Sequence, residues 1–166
     1  MRDLLQRLWP LPWHPRVRRA GVLIFRLPLV ARLLLPHFLV GVVGIVQDEL
    51  GRVLLLRHTY RRDYPWGLPT GFLEYGEQPL DALEREIGEE TGLRVELQPA
   101  VDVCSETESH LVNVIYRGTA RSGSFRPSAE VSEAAFFAPH ALPSLLPEQR
   151  HLLERFLGEG SSSLDA

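Results

Sequence analysis

Gly71-Phe72-Leu73-Glu74-Tyr75-Gly76-Glu77 and, seven residues later, Arg85-Glu86-Ile87-Gly88-Glu89-Glu90-Thr91-Gly92-Leu93 are the stretch on which the reading of this chain turns. Pro79 to Thr91 reads as a helix. Proline stands in its first turn, Leu80, Leu83 and Ile87 make an apolar stripe at i, i+3 and i+7, and Gly92 stops it. Successive helical residues turn by about 100°, so Glu86, Glu89 and Glu90 fall within roughly 100° of one face. With the apolar stripe turned to the core, these acids are expected to face out. Three carboxylates so close repel and raise one another's pKa, and a cation relieves that repulsion. Hard oxygen ligands suit Mg²⁺, Mn²⁺ or Ca²⁺ rather than zinc. Arg85 can hydrogen-bond a carboxylate to orient it, and Glu77 lies near the helix N-terminus, where the dipole favours a negative charge. A solvated, Glu-rich helix face would show the same composition.

Outward from this stretch, Phe38 to Val46 is rich in β-branched residues and reads as a buried strand. Asp48 to Gly51 is a turn, and Arg52 to His58 completes a hairpin. Leu68 to Glu74 is a short extended segment around Pro69 and Gly71. Val95 to Cys104, His110 to Thr119 and Val131 to Phe137 read as further strands, and Leu145 to Leu157 as a closing helix started near Pro147. Strands, one helix, strands and a final helix predict an α/β (α+β) domain with a mixed sheet between helices. Residues 37–157 form this domain and Gly158 to Ala166 a Gly/Ser-rich tail.

Residues 1–36 read as a separate extension. They hold seven arginines and one aspartate, a charge of +6, against −9 for residues 37–166. Met1 to Trp9 could form a short helix, and Pro10, Pro12 and Pro15 then interrupt regular structure. The longest charge-free run, Leu33 to Gln47, has 15 residues, where a membrane span needs roughly 20. No small-residue cleavage site follows a clean apolar core, as a secretory signal requires. Trp9, Trp13 and the arginines leave a peripheral membrane contact open, with packing on the domain or a homodimer partner the commoner fate.

With 45% hydrophobic and 23% charged residues the chain is globular, and its length suits one domain. A net charge of −3 gives no reason to expect nucleic-acid binding. The single cysteine, Cys104, excludes an internal disulfide and a cysteine-based zinc cage, and a reducing cytoplasm is the simple setting. All 18 basic residues are arginine, as codon bias in a GC-rich bacterial genome would produce.

The spacing from Gly71 to Leu93 resembles the Nudix box, with every fixed position of the 23-residue pattern present. The resemblance extends over about residues 37–157. It implies an α/β/α sandwich with a mixed β-sheet and the box as loop–helix–loop. It also implies a Mg²⁺-dependent hydrolase (Mn²⁺ a substitute) that cleaves the pyrophosphate of a nucleoside diphosphate linked to another moiety, by metal-activated water. Carried over by position, Glu86 and Glu90 are the main metal ligands and Glu89 a third ligand or proton acceptor. Arg85 orients them and Glu77 supports the loop or an outer metal. A backbone carbonyl before the box glycine completes the metal shell; here that residue is Thr70, where the family commonly has glycine. A base in a later loop would be Glu106, Glu108, Glu130 or Glu133, and Glu133, preceding Ala134 to Phe137, resembles the family's late glutamate.

Tyr64 and Trp66 could stack on a base, Trp66 equally filling the core. Arg57, Arg61 and Arg62 offer cations for a phosphate, although exposed loop arginines usually bind none. The proline typical of ADP-ribose members about 16 residues past the box is absent, those positions being near Ser109 and His110. The competing reading is a catalytically silent, ligand-sensing domain associated with a partner or membrane through residues 1–36. The intact Arg85, Glu86, Glu89 and Glu90 argue for the enzyme.

Overall fold

The computed structural model describes residues 37–106 and 110–158. The expected helix over Met1 to Trp9 and residues 159–166 of the tail lie outside them. The described strands are β1 (Leu39–Gln47), β2 (Val53–His58), β3 (Trp66–Gly67), β4 (Thr70–Phe72), β5 (Leu93–Leu97), β6 (Asp102–Glu106), β7 (Leu111–Gly123) and β8 (Val131–Phe137). Helix α1 (Pro79–Thr91) follows β4, and helix α2 (Pro147–Gly158) closes the domain after a 3-10 turn, Pro139–Ala141.

The strands make one mixed sheet in the order β3-β2-β1-β7-β5, with β4 paired to β1, β6 to β7 and β8 to β2. Strands β1 and β7 run parallel, from Leu39 opposite Leu111 to Gln47 opposite Thr119, and the other pairings are antiparallel. This is the α+β fold with a mixed sheet expected from the order of elements.

Side chains alternate across a strand, and here both faces are covered. Val42, Val46, Leu54 and Leu56 pack with Ala82, Leu83 and Ile87 of α1. Val43, Ile45, Val53 and Leu55 pack with Leu153 and Phe156 of α2. Burial on both faces is why β1 and β2 read as continuous apolar runs. Each fully buried Leu or Ile contributes roughly 1.5–3 kcal/mol, and this fixes α1, with its acids, against the sheet.

Helix α1 has the predicted bounds. Pro79 stands in its first turn and Gly92 ends it at φ 72°, a left-handed conformation that glycine adopts without strain. Thr91 reinforces the end, its hydroxyl donating to the Ile87 carbonyl and accepting from the Leu93 amide. Three expectations are corrected. Val95 to Cys104 is two strands, because Gln98-Pro99-Ala100 breaks the run and each half pairs with a different part of β7. Strand β7 continues to Gly123, where β5 gives it a partner. Helix α2 includes Gly158, which had been assigned to the tail. Among the described residues no helix is long and apolar enough to cross a membrane.

Candidate active site

The loop that opens the box is clamped to β1: Thr70 pairs with Val43, Gly71 with Val42 and Phe72 with Gly41. On either side, Gly44 N donates to the Pro69 carbonyl at 2.9 Å and Leu73 N to the Val40 carbonyl at 3.0 Å. This holds Gly71 beneath α1, and a Cβ at Gly71 would overlap the Glu86 side chain. The Glu86 Oε1 accepts a long hydrogen bond from Phe72 N at 3.4 Å.

Arg85 ties the loop to the helix. Its Nε donates to Glu77 Oε1 at 2.9 Å and its Nη2 to Glu77 Oε2 at 3.1 Å, a two-pronged contact. Nη2 also donates to the Phe72 carbonyl at 3.2 Å. Nη1 lies 3.2 Å from Glu86 Oε1 and 3.4 Å from Glu89 Oε2. The hydrogen bonds from Arg85 hold the Glu77 carboxyl below its ordinary pKa. Glu77 Oε2 also accepts from Glu74 N at 3.1 Å, which closes the turn before the helix.

The three box carboxylates do not share one environment. The Glu89 side chain is 64% exposed and turned towards Arg85. Glu86 is half-buried, whereas Glu90 is buried and its Oε2 has no hydrogen-bond partner among the described residues. Burial first, then the charges of Glu86, Glu130 and Glu89 against the opposing charge of Arg61, push the Glu90 pKa up to about 7. The expectation that all three acids face outward is therefore corrected for Glu90. Its signal was present in the sequence: Glu90 lies at i+7 from Leu83, on the same stripe as the core residues.

Glu86, Glu90, Thr70 and Gly71 line a cleft of about 1060 Å³, with Arg61 and Glu130 also on its wall. Thr59 brings the last two together: its amide donates to the Glu130 carbonyl at 2.8 Å and its hydroxyl to the Ala129 carbonyl at 2.9 Å. Ser128 shapes the same turn, its Oγ accepting from Val131 N at 3.0 Å. Glu133 is exposed, paired across the sheet with Arg57, and is not among the lining residues. The fold thus puts Glu130, not Glu133, with the box acids. Nothing local in the sequence separates them. The Glu106 side chain and Glu108 lie outside the described residues.

Trp66 meets Phe137 edge-on at 4.9 Å, packs on the α2 side of the core and is not among the lining residues. Tyr64 does not line the cleft, and Tyr60, which the sequence did not single out, does. Cys104 also lines it, on β6 opposite Asn113.

A buried carboxylate oxygen without a donor, beside Glu86 and Glu130, is a hard anionic donor set of the type that takes a divalent cation. Among the described residues no three Asp, Glu, His or Cys side chains already converge as a coordination set. Glu86 is engaged by Arg85 and Phe72, and Glu89 by Arg85. Glu90, with Glu86 beside it, could hold a cation.

Residues 37–156 match the NUDIX domain family. A MutT-like protein of Streptomyces ambofaciens is 33% identical over 113 residues, covering 68% of this chain and 72% of that protein. An ADP-ribose pyrophosphatase of Methanocaldococcus jannaschii is 28% identical over 129 residues, covering 73% and 74%. The crystal structure of a NUDIX hydrolase from Nitrosomonas europaea superposes with a TM-score of 0.71 at 26% identity, covering 78% of this chain and 75% of that one.

Proposed function

The chain belongs to the NUDIX family, and from that premise we propose that it is a diphosphohydrolase cleaving the pyrophosphate of a nucleoside diphosphate linked to a second moiety. The observation that carries this reading is the Glu90 carboxylate, buried on the cleft wall with an oxygen that no donor among the described residues satisfies. The likeness to an ADP-ribose pyrophosphatase supports the substrate class.

Glu86 and Glu90 are the side chains that would hold Mg²⁺, or Mn²⁺ in its place, with the Thr70 carbonyl and Glu89 as further oxygen donors. When bound, such a cation offsets phosphate charge and lowers the pKa of a water molecule. Arg85 keeps Glu86 and Glu89 in register and anchors the loop through Glu77. Glu130 is the acid best placed to accept the water's proton, since it faces the cleft and its charge acts on Glu90.

Phosphate release across NTPs, ADP-ribose, NADH, nucleotide sugars, CDP-alcohols and dinucleoside polyphosphates, with and without Mg²⁺ or Mn²⁺, tests the reading. One class should turn over only with metal, and Glu86→Gln and Glu90→Gln should each abolish most turnover while remaining folded. Normal activity in both variants would remove the assignment. Tight binding of a panel member without turnover would favour a sensing domain instead.

A further inference from the structure

Of the three arginines before the box that could meet a phosphate, the fold places one in the cleft. Arg57 is exposed opposite Glu133 and Arg62 is exposed in the loop, whereas Arg61 lines the cleft wall. Among the described lining residues it is the one arginine, and it shares the wall with four carboxylates: Glu86, Glu90, Glu130 and Glu148. A polyphosphate entering such a wall would be repelled except at Arg61 and at a bound cation.

The guanidinium is held from behind. It lies over the Tyr60 ring, 5.6 Å from the centroid, and that ring packs on buried His58 at 5.3 Å. Burial keeps His58 neutral, so the stack adds no second charge. A Cβ at Gly67 would lie 2.6 Å from Arg61 Nη1, so glycine at 67 lets the guanidinium rest against the backbone. Nη1 is buried and has no acceptor among the described residues, which is uncommon for so strong a donor. Gln149, whose Oε1 would lie 3.1 Å from the same Cβ, accepts from Leu68 N at 3.0 Å. Arg61 is therefore held at the cleft wall, with one guanidinium nitrogen that no acceptor among the described residues satisfies.

We propose that Arg61 is the anion-binding arm of the cleft, taking oxygens of one phosphoryl group of a nucleoside diphosphate while Glu86 and Glu90 address the other through their cation. The substrate class rests on the hydrolase reading above; the assignment of Arg61 rests on its place in the cleft. A planar guanidinium suits this role because it donates two parallel hydrogen bonds to a phosphate, which an ammonium does not.

The test is binding, not turnover. α,β-Methylene-ADP, whose bridging carbon prevents cleavage, is titrated with Mg²⁺ into the full chain and its variants. Arg61→Ala should weaken binding by about tenfold to a hundredfold, and Arg61→Lys should restore only part of it. Arg57→Ala and Arg62→Ala should bind as the wild type does. With a turned-over substrate, Arg61→Ala should raise KM more than it lowers kcat, a split that mere loosening of the fold would not give. If Arg61→Ala unfolds, the lysine variant carries the test. Wild-type affinity in the alanine or lysine variant, or no binding of the analogue by the wild type, overturns the proposal. Arg61-dependent binding without hydrolysis of any nucleotide sinks the hydrolase reading and leaves Arg61 in place.

Discussion

Gly71 and Glu86 are in direct contact, with the glycine on a strand edge and the glutamate on the helix above it, and a methyl group at position 71 would occupy space that the Glu86 side chain fills. The box glycine is therefore a matter of room for a carboxylate as well as of loop shape. Gly71→Ala should cost some stability, since the added methyl displaces Glu86 from its Cγ outward and with it the contact to Arg85. Turnover should fall by roughly tenfold to a hundredfold, because a shift of about 1 Å in a positioned group is enough for that. Thermal unfolding and steady-state kinetics on one preparation would check it. Full activity would show that the position of Glu86 is unimportant.

Arg85 makes its contacts with a fork: Nε and Nη2 reach both oxygens of Glu77, while Nη1 and Nη2 reach Glu89 and the Phe72 carbonyl. Arg85→Lys keeps the charge and loses that geometry. The expected outcome is a drop in kcat of roughly tenfold or more, with the helix content intact by circular dichroism. An unimpaired lysine variant would mean that charge alone suffices at this position.

Glu130 and Glu133 stand three residues apart and differ in setting, one on the cleft wall and one exposed opposite Arg57. General-base catalysis commonly supplies about 10²–10⁴ in rate. Glu130→Gln should therefore lower kcat by about a hundredfold, and Glu133→Gln should be close to wild type. The reverse pattern, measured under the same metal conditions, would restore Glu133 as the base.

His58 gives the chain an acid-sensitive point. It is 2% exposed and neither ring nitrogen has a hydrogen-bond partner among the described residues. Burial first, then the charge of Arg61, lower its pKa from 6.5 to about 4. The folded value is below the unfolded one, so the unfolded chain binds more protons between them. The stability tied to neutral His58 is therefore present above pH 6.5 and is lost as the pH falls towards about 4; its size is on the order of 3 kcal/mol. Denaturant unfolding at several pH values should show His58→Leu losing less stability than the wild type across this window. Parallel losses in the two proteins would dismiss His58 as the source.

What the sequence by itself determined is what depends on near neighbours along the chain. Helix α1 was legible to its end residues, because its stripe, its first-turn proline and the left-handed Gly92 all act within a turn or two. The box acids and Arg85 were legible for the same reason, and the burial of Glu90 was implicit in its spacing from Leu83. The tertiary structure decided the rest. Pro99 divides two strands because β7 offers them separate partners. Trp66 goes to the core because Phe137, on a distant strand, is there to meet it. Thr59 carries Arg61 to the segment holding Glu130, so one arginine of three and, of Glu130 and Glu133, Glu130 reach the cleft. Helical hydrogen bonds join residues four apart, whereas a sheet and a cleft join segments tens of residues apart, and no local pattern records which of them meet.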